Sequence, residues 1–206
     1  MGYAGWITPN KLSGSGNDTV NVSANSDNTG RNSRSTNITF KAANCEDVVR
    51  AVTQAGKSEF VTLQSTGAVA QNGGTLTLSG TTNSSKLTFS LGSGATLSLT
   101  LPASYTANSV STNNGAAIAG DPGAAQEFAF SITFTGISAN TSITSKTAQV
   151  IVTDNAGNSS TCTVTQAAGD ATLSVSPASV QLDWDAYTQS GSATFTVTSN
   201  TNWSVE

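Results

Sequence analysis

Histidine is absent from this 206-residue chain, and cysteine occurs only twice, at Cys45 and Cys162. The first absence removes Ser-His-Asp and Cys-His catalysis, both of which need an imidazole to move the proton. It also leaves zinc with two thiols and scattered carboxylates, at no spacing that builds a tetrahedral site. The cysteines lie in different parts of the chain, so no disulfide framework is expected, and each reads as a free thiol behaving like a small hydrophobe. Charged residues make up 10% of the chain and the net charge is −4. No basic footprint exists to displace counterions from a phosphate backbone, so nucleic acid is excluded as a partner. Long apolar runs are missing too: nothing approaches the roughly 20 residues of a membrane span. The N-terminal Met1-Gly2-Tyr3-Ala4-Gly5-Trp6 lacks the basic start and apolar core of a secretory signal, so the chain either leaves its cell by another route or has its signal outside these residues.

What the chain has is Ser, Thr, Asn and Gly. Threonine suits a pleated, half-buried surface, whereas Gly, Asn and Asp supply the turns between strands. Apolar residues alternate with polar ones in short runs broken by Gly- and Asn-rich clusters, the pattern of a sandwich or barrel. Val20, Val22 and Ala24 form one row, Ile38 and Phe40 another, and Leu87, Phe89 and Leu91 a third. Leu97, Leu99 and Leu101 form a fourth, and Phe128, Phe130, Ile132 and Phe134 the clearest. Near the end, Val180, Leu182 and Trp184 alternate with Gln181, Asp183 and Asp185, and Phe195 and Val197 follow the same rule. Each is expected to face the inside of a β-sandwich.

The chain also repeats itself. Val52-Thr53-Gln54-Ala55-Gly56 returns as Val164-Thr165-Gln166-Ala167-Ala168, and Gly74 to Ser79 aligns with Ser192 to Thr198 within a residue or so. A unit therefore begins after one Gln-Ala pair and ends at the next. The expected organisation is all-β, with tandem immunoglobulin-like sandwiches: one complete (57–168), flanked by a C-terminal half (1–56) and an N-terminal half (169–206).

Leu173-Ser174-Val175-Ser176-Pro177-Ala178-Ser179-Val180, followed by Phe195 to Val205 with Asn202-Trp203-Ser204, resembles the opening half of a BACON domain. This is the Bacteroidetes-associated immunoglobulin-like module often assigned to carbohydrate binding. Trp6-Ile7-Thr8-Pro9, Gly14 to Val22, Arg34 to Phe40 and the Gln54-Ala55-Gly56 ending resemble its closing half. The resemblance implies binding of a cell-surface glycan. The middle unit departs from it around Ser104 to Gln126. Arg50 departs as well, standing where Cys162 stands in the middle unit, which predicts an altered register or an exposed edge in that strand.

A half-sandwich leaves an open sheet with one apolar face wet, an invitation to pair with another chain. Three completions are conceivable. The two halves join between molecules, head to tail, which gives a ring or a filament. They join within one molecule, if the domains lie side by side. Or the chain is cut from a longer array. The expected partner is another copy of the chain, by strand or half-domain exchange. The partner surface would be Trp6, Ile7, Val20, Val22, Ile38 and Phe40 from one half, and Leu173, Val175, Val180, Leu182, Phe195, Val197 and Trp203 from the other.

Other candidates are thin. Asp183 and Asp185 share a strand face but read as a solvated outer face rather than the carboxylate pair of a glycosidase. Asp154-Asn155-Ala156-Gly157-Asn158 offers hard oxygens for calcium, but a tight hairpin turn explains it as well, and Asp121-Pro122-Gly123 also reads as a turn. Trp6, Trp184 and Trp203 are expected to pack in a core or interface, and Tyr3, Tyr105 and Tyr187 to be the better exposed contacts. No cofactor, metal or catalytic residue is expected, and the protein is read as not an enzyme. Two functions follow. The first is a virion structural component of a Bacteroidetes-infecting phage, such as a head fibre, decoration or tail-associated protein. The second is a fragment of a secreted surface protein with glycan-binding or spacer modules. The expected location is a virion, the cell surface or the extracellular space.

Overall fold

The computed structural model describes residues 3–182 and 193–206. Asp183, Trp184, Asp185 and Tyr187 lie outside the described residues. The architecture is all-β, and no helix occurs among the described residues. Its centre is a two-sheet sandwich built from β5 (Val61–Leu63), β6 (Thr66–Val69), β7 (Gly74–Thr82), β8 (Leu87–Leu91), β9 (Ser104–Ala107), β10 (Val110–Asn113), β11 (Phe128–Ile137), β12 (Lys146–Asp154) and β13 (Ser159–Gln166). One sheet runs β10-β9-β11-β7-β5 and the other β6-β13-β12-β8. All pairings are antiparallel except β6 with β13, which run parallel.

The alternation in β11 explains its place. Phe128, Phe130, Ile132 and Phe134 are all buried, opposite Leu76 and Leu78 of β7, while the intervening residues face outward. Side chains point alternately to the two faces of a strand, so one face of this run fills the core. Gly80 of β7 must be small: a Cβ there would stand 2.0 Å from the Thr62 carbonyl oxygen and 2.5 Å from the Phe130 ring. Phe89 meets Tyr105 and Phe130 with ring centroids at 5.0 and 5.8 Å, tilted and edge-on, the arrangements that aromatic quadrupoles favour.

Several expectations change. Tyr105 is not an exposed contact: it is buried on β9, and its hydroxyl accepts a hydrogen bond from the Leu87 N–H at 3.3 Å. The row Leu97, Leu99, Leu101 packs on the core but forms no ladder strand, because the Thr96 and Leu97 amides both turn to the Thr147 carbonyl. Leu91 stands at the end of β8 and is exposed. Asp154 closes the β12–β13 hairpin by accepting from the Asn158 backbone and side-chain N–H groups, both at 2.8 Å, so the Asp154–Asn158 run is a turn. Both cysteines are free: Cys162 is fully buried beside Val164, where burial pushes its thiol pKa up, and Cys45 is exposed.

The flanking segments are thinner. Before the sandwich, β1 (Ile7–Pro9) pairs with β2 (Val22–Ala24), and β3 (Arg34–Phe40) pairs with β4 (Val48–Gln54); each pair is a two-stranded sheet. After it, β14 (Leu173–Ser176) pairs with β15 (Thr196–Ser199) as a third.

Candidate assembly surfaces

Two of the three flanking sheets repeat strand pairings of the middle sandwich. β3 and β4 pair from Arg34↔Gln54 without a bulge to Phe40↔Val48, and β12 and β13 pair in the same frame from Lys146↔Gln166. Corresponding residues are 112 positions apart (166 − 54). Arg50 thus leaves the register intact, and what it marks is an open edge, since β4 has no second neighbour among the described residues.

The loops repeat as well. The Asn28 amide donates to the Asn32 and Ala55 carbonyls and its side-chain oxygen accepts from the Gly30 N–H; Asn140 does the same with Thr144, Ala167 and Ser142. The Gly30 carbonyl then receives the Lys57 N–H at 2.8 Å, and the Ser142 carbonyl receives the Gly169 N–H at 2.7 Å. At the start of the units, Asn83 accepts from the Phe60 N–H and donates to the Ser58 carbonyl, while Thr82 donates to the Phe60 carbonyl. Asn200, Thr172, Asp170 and Ser199 make the same three bonds. Short polar side chains that bond neighbouring backbone favour such turns over a continued ladder.

These contacts place the two flanking segments at opposite ends of the sandwich. Arg31, ahead of β3, reaches the end formed by Glu59, Asn83 and Asp121, whereas Asn200 donates to Thr141 at the far end. Between the ends runs β7, whose nine residues span roughly 30 Å.

Arg31 clamps its joint. Its two terminal nitrogens donate to the Asp121 carboxylate at 2.6 and 2.9 Å, and one also to the Asn83 carbonyl at 2.7 Å. Its Nε lies 2.5 Å from buried Glu59 but off the N–H direction, which makes this an ion pair rather than a hydrogen bond. Such forked pairs add geometric definition as well as energy. The corresponding position in the second joint is Ile143, half exposed and without this clamp. Burial opposes ionisation of Asp121, yet hydrogen bonds from Arg31 and the Gly123 N–H, with the Arg31 charge, hold its carboxyl below the ordinary value of 3.8. The clamp therefore contributes fully above that ordinary value and is lost as pH falls through the lowered one. NMR relaxation of residues 3–56 is expected to show the first segment tumbling with the sandwich near neutral pH and gaining independent motion well below pH 3.8.

The surface residues expected from the sequence divide into covered and open sets. Ile7 and Ile38 are already buried within the first segment, and Trp6 is half-buried under the Arg34 guanidinium, 4.7 Å from the ring centre. Val20 and Val22 are half-buried and Phe40 is exposed. In the last segment Leu173, Val175, Leu182, Phe195 and Trp203 are all exposed, the last 53%, whereas Val180 and Val197 are half-buried. These rows alternate as inward rows should, but no opposing sheet covers them among the described residues. Val48, paired with Phe40, is exposed on the same face, an addition that the row pattern does not contain, and Val49 is exposed on the opposite face. A groove of about 580 Å³ opens over the Phe40 face, lined by Tyr3, Leu12, Val20, Ile38 and Phe40 with Lys11, Asp18 and Lys41 at its rim. Apolar surface on this scale, on both flanking segments, is what soluble proteins seldom leave bare unless it meets a partner.

Residues 1–55 match the family model described as "BACON: Putative binding domain, N-terminal". No curated protein matches the chain. The first segment, with its Trp6, Arg34 and Gln54 cluster, is BACON-like.

Proposed function

We propose, from the binding-domain match over residues 1–55 and the open apolar rows beyond both ends of the sandwich, that this is a non-enzymatic assembly and adhesion protein. The middle sandwich acts as a rigid spacer. The first and last segments are complementary halves of one further sandwich, each completed by the other half from a neighbouring copy. One observation supports this reading above the rest: the same fold elements that bury each other in the middle unit stand apart, uncovered, at opposite poles. Intramolecular closure is disfavoured, because residues 167–170 reach at most about 14 Å and the poles are about 30 Å apart.

Head-to-tail pairing of this kind gives an open filament or a ring. In its finer form the filament is a virion fibre or decoration component, a role suited to a chain of self-complementary halves. The alternative, a glycan-binding or spacer module of a surface protein, is favoured by the groove over Phe40 and the family's description. Light scattering of the chain over a range of concentrations separates them. Mass that grows with concentration is the expected result. A well-folded monomer at every concentration overturns assembly and moves function to the groove.

A further inference from the structure

Resting on that reading, we infer the register in which a second copy docks: residues 177–182 of one molecule enter as a parallel strand on the open edge of β4 of the next. The middle unit supplies the template. There the chain leaves β5, crosses to the other sheet and runs parallel to β13 as β6, with Val164↔Gly67, Thr165↔Ala68 and Gln166↔Val69. Gly67 is tightly packed, for a Cβ there would stand 2.8 Å from Leu78, and Val69 is buried.

β14 reproduces β5, because Leu173 and Val175 occupy the places of Val61 and Leu63 against the neighbouring strand. Beyond β14, Ala178 and Val180 repeat the small-then-branched spacing of Gly67 and Val69, with one residue fewer in the crossing. That gives Val52↔Ala178, Thr53↔Ser179 and Gln54↔Val180 between copies.

A side chain of the receiving copy is poised for this strand. The Gln166 amide donates to the Ser138 carbonyl at 2.8 Å and also lies within 3.4 Å of the Ala70 and Gln71 carbonyls, so it ties the end of β6 to β13. Gln54 makes the first of these bonds, to Ser26 at 3.1 Å, with its oxygen held by Arg34 at 2.8 Å. The carbonyls that correspond to Ala70 and Gln71 are those of Gln181 and Leu182 in the incoming copy.

Neighbouring strands place paired Cα atoms about 4.8 Å apart, within the range that a disulfide spans. The test uses the whole chain in a Cys45→Ser background, which removes the exposed native thiol. Under mild oxidation, Thr53→Cys with Ser179→Cys in one chain is expected to give a ladder of covalent multimers, and a mixture of the two single variants only dimers. Circular dichroism melting confirms that the sandwich is folded in each. Light scattering on the same samples separates the two levels. Multimers that do not cross-link, or that cross-link only when Val180→Cys replaces Ser179→Cys, overturn the register and leave assembly standing. Monomers that do not cross-link overturn both.

Discussion

Replacing Phe195 by Asp is expected to reduce the solution mass to that of a single chain while the melting of the middle sandwich stays where it was. Phe195 is half exposed in the isolated chain, two residues before Val197, and in the template its place is that of fully buried Leu78. Burying a phenyl ring contributes about 1.5–3 kcal/mol. An unpaired carboxylate in the same place costs several kcal/mol more. A combined loss of about 5 kcal/mol weakens association by three to four orders of magnitude, since each 1.4 kcal/mol is tenfold. Phe195→Leu, which keeps an apolar side chain, is the control and should assemble nearly as the parent does. Light scattering at matched concentrations reads both. Unaltered assembly by the Asp variant would mean that the row containing Phe195 is not the contact surface.

Phe89→Ala should have the largest effect on stability. The ring is 2% exposed, sits between Tyr105 and Phe130, and belongs to β8 at the edge of the four-stranded sheet. Truncating a buried Phe costs about 3–5 kcal/mol, because the transfer energy is lost and the neighbours collapse only partly into the cavity. For a sandwich of this size each kcal/mol lowers the melting temperature by roughly 4–8 °C, so a fall well above 10 °C is expected. Denaturant unfolding should show a lower midpoint at an unchanged slope. Phe40→Ala makes the contrast, since that ring is 42% exposed and little is lost when it is removed from the unassembled chain. If both variants melt alike, the division between a closed middle unit and open flanking segments is wrong.

Much of the fold was legible in local patterns. The Phe128-to-Phe134 row declares β11 because alternation is a property of consecutive residues and needs no knowledge of partners. The Gln54 and Gln166 endings mark equivalent strands, and each amide donates to the carbonyl of the corresponding serine, Ser26 or Ser138. The burial of Tyr105 is not legible in the sequence, because a phenol in a loop-rich stretch looks exposed until the aromatic cluster that surrounds it is known. The Leu97-to-Leu101 row shows the opposite case, where alternation reports burial correctly but says nothing of where the backbone hydrogen bonds go.

The open surfaces divide along the same line. Apolar alternation marks Phe40, Leu173, Val175 and Phe195 as inward-facing, and the internal repeat predicts 1–56 and 169–206 as the two halves of one unit. Neither fact says where the two segments stand. The Arg31 clamp with Glu59, Asn83 and Asp121 joins residues up to 90 positions apart, a contact that no local rule contains. Side-chain period, turn chemistry and repeat spacing are short-range properties and are written directly in the amino-acid order. Which ends of a rigid sandwich the flanking halves occupy, and so which of their apolar faces remain uncovered, depends on contacts across the whole fold and was decided only there.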